Sequence, residues 1–383
     1  MSTATTISTS PSRAVDGSRP EPSRVTLARH RAGLTKTALA AAMAVSARTI
    51  NDYERKGPPA SAVEALAAVL GCTPEFFALP PVEHLSEDQV FFRARRRASS
   101  GQRHAAIAAG QIGIELYEWI DRYFHLPEVS LPEVDNTDPV DTAASVRALW
   151  GLGTRPLPNL IQLAESKGIR VLSLPRGTDL VDAFSVWCNG KPYVFLSISK
   201  TPERSRFDLA HEIGHLVLHP GLPEGGNAIE READRFASAL LMPPSVLHSS
   251  VPREPSAADI VEYKKYFRVS AMALNYALRE AGRLTEWGHR QNCVRLSELG
   301  YRSGEPAGMP QHETSRVFGT IFRSREGRAR VAEVAAELGL PVAELHAMTF
   351  GTALHTVMAN RGEGAKESTR VDTRPSLKLV RST

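Results

Sequence analysis

Apolar positions along this chain change period twice, and each change marks a different kind of structure. Between Val25 and Pro80, short apolar runs at helical spacing are cut at Gly33-Leu34-Thr35, Val45-Ser46, Gly57-Pro58-Pro59 and Gly71-Cys72-Thr73. Turn signals that dense predict a compact bundle of about five short helices. Farther on, Ile112, Leu116, Trp119, Ile120 and Tyr123 recur at i, i+4, i+7, i+8 and i+11 within Gln102 to Leu126, the stripe of one amphipathic helix. Prolines and acids from Leu126 to Pro139 set a boundary, and another helical pattern ends near Trp150. After Gly168 the period becomes two, in Ile169 to Leu174, Ala183 to Trp187 and Tyr193 to Ile198, with Asn189-Gly190 as a hairpin signal between the last two. From Pro202 the helical period returns up to His219, breaks at Pro220-Gly221, and resumes from Ala228 to Met242 before Pro243-Pro244. Later helical patterns cover Ala332 to Leu340 and Val342 to Phe350.

This order predicts an α+β multidomain chain. Residues 24–81 form an all-α bundle, 82–134 a linker helix, 135–306 a domain with a small β-sheet and helices, and 307–361 a small helical C-terminal region. Residues 1–23 and 362–383 are polar and Pro/Ser/Thr-rich, so burial cannot offset their ordering entropy, and both are expected to be disordered tails. The chain as a whole, 42% hydrophobic and 23% charged over 383 residues, has the composition of folded domains. A net charge of +4 permits nucleic acid as a partner without requiring it. Cysteines occur only at 72, 188 and 293, an odd number without CxxC spacing, which excludes a disulfide framework and a thiolate zinc site and favours a reducing cytoplasm. The longest apolar run, Ala38 to Val45, is far short of the ~18 residues of a membrane span, and residues 1–23 lack the apolar core of a signal peptide. No membrane partner is expected.

Two segments carry recognisable chemistry. Thr35 begins a helix ending near Ala42, and Ser46 caps a second helix after a short turn, which is helix-turn-helix spacing. Leu39, Ala40, Val45 and Ile50 would pack the elbow. Arg48 and Asn51 would face the major groove of double-stranded DNA, where they can contact guanine and adenine edges, with Thr49 and Ser46 at its margin and Lys36 on phosphate. Dimeric binding to half-sites is expected of such a module, with Gln102 to Leu126 as one possible homodimer surface or, the preferred reading, a helix packed on the domain that follows it. The run Phe91-Phe92-Arg93-Ala94-Arg95-Arg96-Arg97 offers further phosphate contacts or a solvated helix start.

The second segment is His211-Glu212-Ile213-Gly214-His215, an HExxH motif inside a helical pattern. Spacing of i, i+4 puts both imidazoles on one face, where they can hold one Zn²⁺ with Glu212 beside it as general base. A metzincin would need a third histidine where Gly221 stands, and that class is excluded. The next helix offers Glu230 and Glu232 as a third ligand; Glu230 is preferred because it shares a face with the small Ala233 and Ala237, with Asp234 placed to orient a ligand histidine. The strand Tyr193 to Ile198 could pair with a substrate backbone if it lies at a sheet edge, and is otherwise a paired inner strand; the sequence leaves both placements open. His219, His248 and Tyr193 are possible oxyanion donors, and that role stays unassigned.

Both segments resemble known families. Leu27-Ala28-Arg29-His30-Arg31-Ala32-Gly33-Leu34-Thr35-Lys36, followed by Val45-Ser46-Ala47-Arg48-Thr49-Ile50-Asn51-Asp52-Tyr53-Glu54, resembles the Cro/cI (XRE) repressors, although Lys36 stands where that family often has glutamine. Phe207-Asp208-Leu209-Ala210-His211-Glu212-Ile213-Gly214-His215-Leu216-Val217-Leu218-His219, with Glu230-x-x-Ala233-x-x-Phe236-Ala237 and Leu240-Leu241-Met242-Pro243, resembles the ImmA/IrrE metallopeptidases over roughly Val140 to Pro306. The second resemblance implies a zincin-like domain with one zinc per chain and an endopeptidase activity. Its substrate would be a helix-turn-helix repressor, cut in response to DNA damage or other stress. Other readings are a transcription factor whose zinc domain is only a sensor or platform, and a component of a toxin-antitoxin or phage-immunity unit.

Overall fold

The computed structural model describes residues 20–82, 85, 90–92, 99–134, 138–175, 181–221, 226–323 and 325–353. The expected tails lie outside these residues except at 20–23, and the arginine run after Phe92 lies outside them altogether. At 20–23 the tail expectation is corrected. Glu21 caps α1 (Pro22–Arg31), its carboxylate accepting from the Ser23 amide, while its own amide donates to the Phe77 carbonyl at 2.7 Å. Proline in the first turn suits a helix start because its missing N–H is not needed there.

The all-α unit continues with α2 (Lys36–Ala42), α3 (Ala47–Lys56), α4 (Ala60–Leu70) and a 3-10 turn at Pro74–Ala78. Thr35 caps α2 through the Ala38 amide and Ser46 caps α3 through the Thr49 amide, both at 3.0 Å. Leu39, Ala40 and Ile50 are buried at the α2–α3 elbow, with Val45 half-buried beside them. In the turn, Ala44 takes φ 52, a left-handed conformation that strains any residue with a Cβ.

Next come β1 (Phe91–Phe92), α5 (Ser100–Tyr123), α6 (Pro139–Leu149), α7 (Leu160–Glu165), β2 (Arg170–Ser173), β3 (Ala183–Cys188) and β4 (Lys191–Leu196). The hairpin between β3 and β4 turns at Asn189 and Gly190, both with positive φ, as the Asn-Gly pair requires. The strands form one sheet in the order β1-β3-β4-β2, with β4 antiparallel to β3 and parallel to β2. Of the two placements the sequence leaves open for this strand, the structure shows the second: β4, which contains Tyr193 and Phe195, is an inner strand. Then follow α8 (Pro202–Leu218), α9 (Asn227–Leu241), α10 (Pro244–Ser250), α11 (Ala257–Phe267), α12 (Ala271–Glu280), α13 (Glu286–Glu298), α14 (Arg316–Arg323), α15 (Arg325–Glu337) and α16 (Val342–Met348). The fold is thus α+β, an all-α N-terminal unit followed by a small sheet among helices.

Alternation along the strands divides the molecule into two cores. Leu172, Phe184, Val186, Tyr193 and Phe195 join the core shared with α5, whereas Val171, Ala183, Val194 and Leu196 join the core shared with α8 and α9. The helix expected as a linker is therefore a layer of the fold. Gly110 and Gly113 let it approach the sheet closely: a Cβ on them would sit 2.8 Å from the Phe184 ring and 2.7 Å from the Phe195 ring. Its apolar stripe, including Ile112, Leu116, Trp119 and Ile120, is buried within one chain, as in the packed-helix reading of the sequence.

The first core also contains Val25, Leu39, Ile50, Phe76 and Phe77 of the N-terminal unit and Phe318, Val334 and Leu345 of the C-terminal helices. Polar clamps line the same seam. Arg24 grips Glu115 of α5 through both guanidinium nitrogens, at 2.6 and 3.0 Å, Arg31 pairs with Glu344, and the Thr73 amide donates to the Gly339 carbonyl at 2.9 Å. Gly339 has φ 62, and a Cβ there would lie 2.6 Å from Phe76 Cα.

Candidate metal centre and DNA-reading helix

α8 lies under the sheet, tied to β3 by Trp187 Nε1 donating to the Leu216 carbonyl at 3.1 Å. Gly214 lets α9 cross it closely, since a Cβ there would lie 3.0 Å from the Phe236 ring and 3.3 Å from Ala233 Cα. The crossing brings Glu230 onto the two imidazoles. Its carboxylate oxygens lie 3.4 Å from His211 Nε2 and 3.4 Å from His215 Nε2, and the two Nε2 atoms are 3.0 Å apart. Among the described residues, these three side chains form a group of potential metal donors within 4.8 Å of one another.

The far sides of both rings are held as well. His211 Nδ1 lies 2.9 Å from Asp234 Oδ1, the position expected from the sequence. His215 Nδ1 lies 3.1 Å from His219 Nδ1, and His219 Nε2 lies 2.9 Å from Glu232 Oε2. A carboxylate can only accept, so His211 donates from Nδ1 to Asp234 and His219 donates from Nε2 to Glu232. His219 Nδ1 is then the acceptor for the His215 Nδ1 proton. Both tautomers turn the Nε2 lone pairs inward, toward each other and toward a carboxylate. Three converging acceptors, two on buried imidazoles and one on the part-exposed Glu230, fit a divalent cation, and His₂Glu is a donor set of catalytic zinc sites.

Electrostatics agree with that state. Burial pushes the His215 imidazole down to about 4, so the ring is neutral near pH 7 and able to donate its lone pair. Burial pushes the Glu230 carboxyl up, but the two adjacent imidazoles outweigh it when they carry Nε2 protons and hold the group well below the usual carboxylate range, so Glu230 is an ionised acceptor near pH 7. Glu212, fully buried, accepts a 2.6 Å hydrogen bond at Oε2 from the Ser185 hydroxyl on β3.

Sequence alone leaves Glu230 and Glu232 open; the structure brings Glu230 to the imidazoles and Glu232 to His219. Neither His219 as the support of His215 nor Ser185 as the support of Glu212 is among the sequence expectations. A signal for the first exists, because His219 follows His215 at i+4. Tyr193, a possible oxyanion donor by sequence, points into the α5 core and accepts from Arg170 at 3.0 Å, on the wrong face of the sheet. His248 is exposed on α10.

On α3, Arg48 and Asn51 are exposed, as reading a groove requires, and the Asn51 carbonyl oxygen accepts from Lys36 Nζ at 2.7 Å. Lys36 also pairs with Glu54 at 2.9 Å, which draws it toward the helix pair. Ser46 and Thr49 share a 2.8 Å hydroxyl hydrogen bond at the α3 N-terminus.

Comparison with known proteins matches these two regions. Residues 23–78 match the family model of a helix-turn-helix domain, and residues 164–279 match that of the IrrE N-terminal-like domain. The radiation response metalloprotease IrrE of Deinococcus radiodurans is 31% identical over 157 residues, covering 36% of this chain and 43% of that protein. The chain thus spans less than half the length of this relative. It joins a region that matches a helix-turn-helix domain to one that matches the IrrE N-terminal-like domain. Among the described residues, no helix is long and apolar enough to cross a membrane.

Proposed function

We propose that this protein is a DNA-binding transcriptional regulator whose second domain is a zinc-dependent endopeptidase that cleaves a repressor-type protein, so that a stress signal alters gene expression. The observation that carries the reading is the convergence of His211, His215 and Glu230 beside the buried carboxylate of Glu212. The IrrE relative, named a radiation response metalloprotease, supports both the chemistry and the link to stress.

His211, His215 and Glu230 hold one Zn²⁺ per chain, with Asp234 and His219 fixing the two imidazoles. Bound there, the ion supplies a Lewis acid for the scissile carbonyl and the attacking water. Glu212 takes the proton from that water at its carboxylate and returns it to the departing amine. Ser185 holds the carboxylate in line while it does so. At the other end of the chain, Arg48 and Asn51 read base edges in an operator, with Ser46 and Thr49 at the groove margin and Lys36 on phosphate. The partners are therefore double-stranded DNA and a helix-turn-helix repressor.

Metal analysis of the purified protein and cleavage of a co-expressed repressor test this reading together. One zinc per chain, lost in Glu230→Gln, and cleavage abolished in Glu212→Gln are the expected results. A wild-type protein that holds no metal, or holds it and cuts nothing, would instead be a DNA-binding sensor.

A further inference from the structure

Two features of the chain meet at Ser185. Its hydroxyl holds Glu212 at 2.6 Å, and its backbone is paired with Phe91 across the outer edge of β3. β1 runs antiparallel to β3, with Phe91 opposite Ser185 and Phe92 opposite Phe184. The order β1-β3-β4-β2 gives β3 no other outer partner among the described residues, and on its inner side Val186, Trp187 and Cys188 pair with β4. The strand edge beside Glu212 is therefore already in use, and its user belongs to the stretch between the helix-turn-helix unit and α5.

An extended peptide presented to Glu212 needs an open edge for its own amides, and strand addition is a general way to supply one. β4, an inner strand, has no edge to give. β2 borders the sheet on the side away from β3. What remains is the outer edge of β3, whose upstream half β1 covers. The described part of β1 is Phe91–Phe92, which covers β3 at Ser185 and Phe184. The sequence there is apolar and continues directly into Arg93-Ala94-Arg95-Arg96-Arg97.

We propose that β1 is a resident occupant of the peptide-docking edge of β3, and that an extended, apolar protein segment gains access to Glu212 only by displacing Phe91–Phe92. Cleavage of the segment after displacement rests on the peptidase reading, but the occupancy itself requires no chemistry.

The test uses the full chain carrying Glu212→Gln, so that no probe is consumed, and a fluorescein-labelled peptide with the sequence of residues 86–97. Phe91→Pro/Phe92→Pro removes both β1 amide donors. That variant is expected to bind the peptide at least tenfold more tightly than the chain with β1 intact. Without the proline pair, saturating peptide is expected to speed amide exchange of Phe91–Phe92 while Phe184–Val186 stay protected. Equal peptide affinity with and without the prolines, together with unchanged exchange at Phe91–Phe92, would overturn the proposal. The exchange measurement needs no substitution in β1 and so stands even if the proline variant misfolds. Cleavage by the Glu212-intact protein is read separately: its absence would sink the peptidase reading alone.

Discussion

α3 and α8 both announce their chemistry through a few residues at helical spacing, yet they hold it in opposite ways. On α3 the functional groups are exposed and engage only neighbours in their own unit, Ser46 with Thr49 and Lys36 with Asn51. On α8, His211, Glu212 and His215 are at most 1% exposed, and nearly every group that orients them arrives from another element, Asp234, Glu230 and Glu232 from α9 and Ser185 from β3. The difference lies in what a lost partner leaves behind. At the surface, water replaces it; in the interior, a polar group is left unsatisfied and the ring it held is free to turn.

The contrast is most exposed to failure at Asp234. Asp234→Asn keeps the shape but removes the carboxylate that fixes the His211 tautomer, and zinc affinity should fall by about 10–100-fold, as losses around metal ligands usually do. Competition with a chelating dye measures this, and operator affinity in the same variant should not move. A zinc affinity within twofold of wild type would mean that burial and orientation are not what set the two regions apart. Arg48→Ala should act in the reverse sense, weakening specific DNA binding by roughly tenfold, within the ~1–3 kcal/mol of a good base contact, with metal content unchanged. Gel-shift titration beside metal analysis reads both.

Glu165 sharpens the comparison further, being buried like the centre but carrying no chemistry. It caps α14, accepting from the Ser315 hydroxyl and from the Arg316 and Val317 amides at 2.8 and 3.3 Å. Burial outweighs those bonds and pushes its carboxyl from 4.5 up to about 7. The folded state therefore holds this proton more tightly than the unfolded chain does. Its contribution to stability is complete below 4.5 and lost as pH rises through about 7. Denaturant midpoints at pH 5 and pH 8 should differ in that direction, and Glu165→Gln should shrink the gap. The smallest expected effect is at Ala44, where φ 52 strains the elbow of the surface reader. Ala44→Gly should stabilise the protein by up to about 1 kcal/mol, seen as a higher melting temperature without a change in DNA affinity.

What is legible in the sequence is local. Caps at Thr35 and Ser46, the Asn189-Gly190 turn and the pairing of His211 with His215 all follow from residues within one or two turns of each other. The acid question shows the limit. Two residues along a helix is a rotation of about 200°, so only one of Glu230 and Glu232 can face α8. The choice depends on how α9 crosses at Gly214, which small residues hint at without deciding. Sheet order is harder still. A period of two identifies a strand without saying which strands flank it, so nothing in the sequence of β4 tells an edge from the inner position it holds. The burial of α5 between the sheet and the helix-turn-helix unit depends on Phe184 and Phe195 meeting Gly110 and Gly113 across a long stretch of chain, and no local signal encodes such a meeting.

The seam at Thr73 and Gly339 has a consequence during synthesis. One side of it leaves the ribosome early and the other near the end of the described chain, so at ~5–20 residues per second the N-terminal unit waits tens of seconds for its native cover. Through that interval Phe76 and its neighbours are without the C-terminal helices that pack on them in the finished protein. A chain stopped after α13 would therefore emerge with α2 and α3 complete and the apolar flank around Phe76 uncovered.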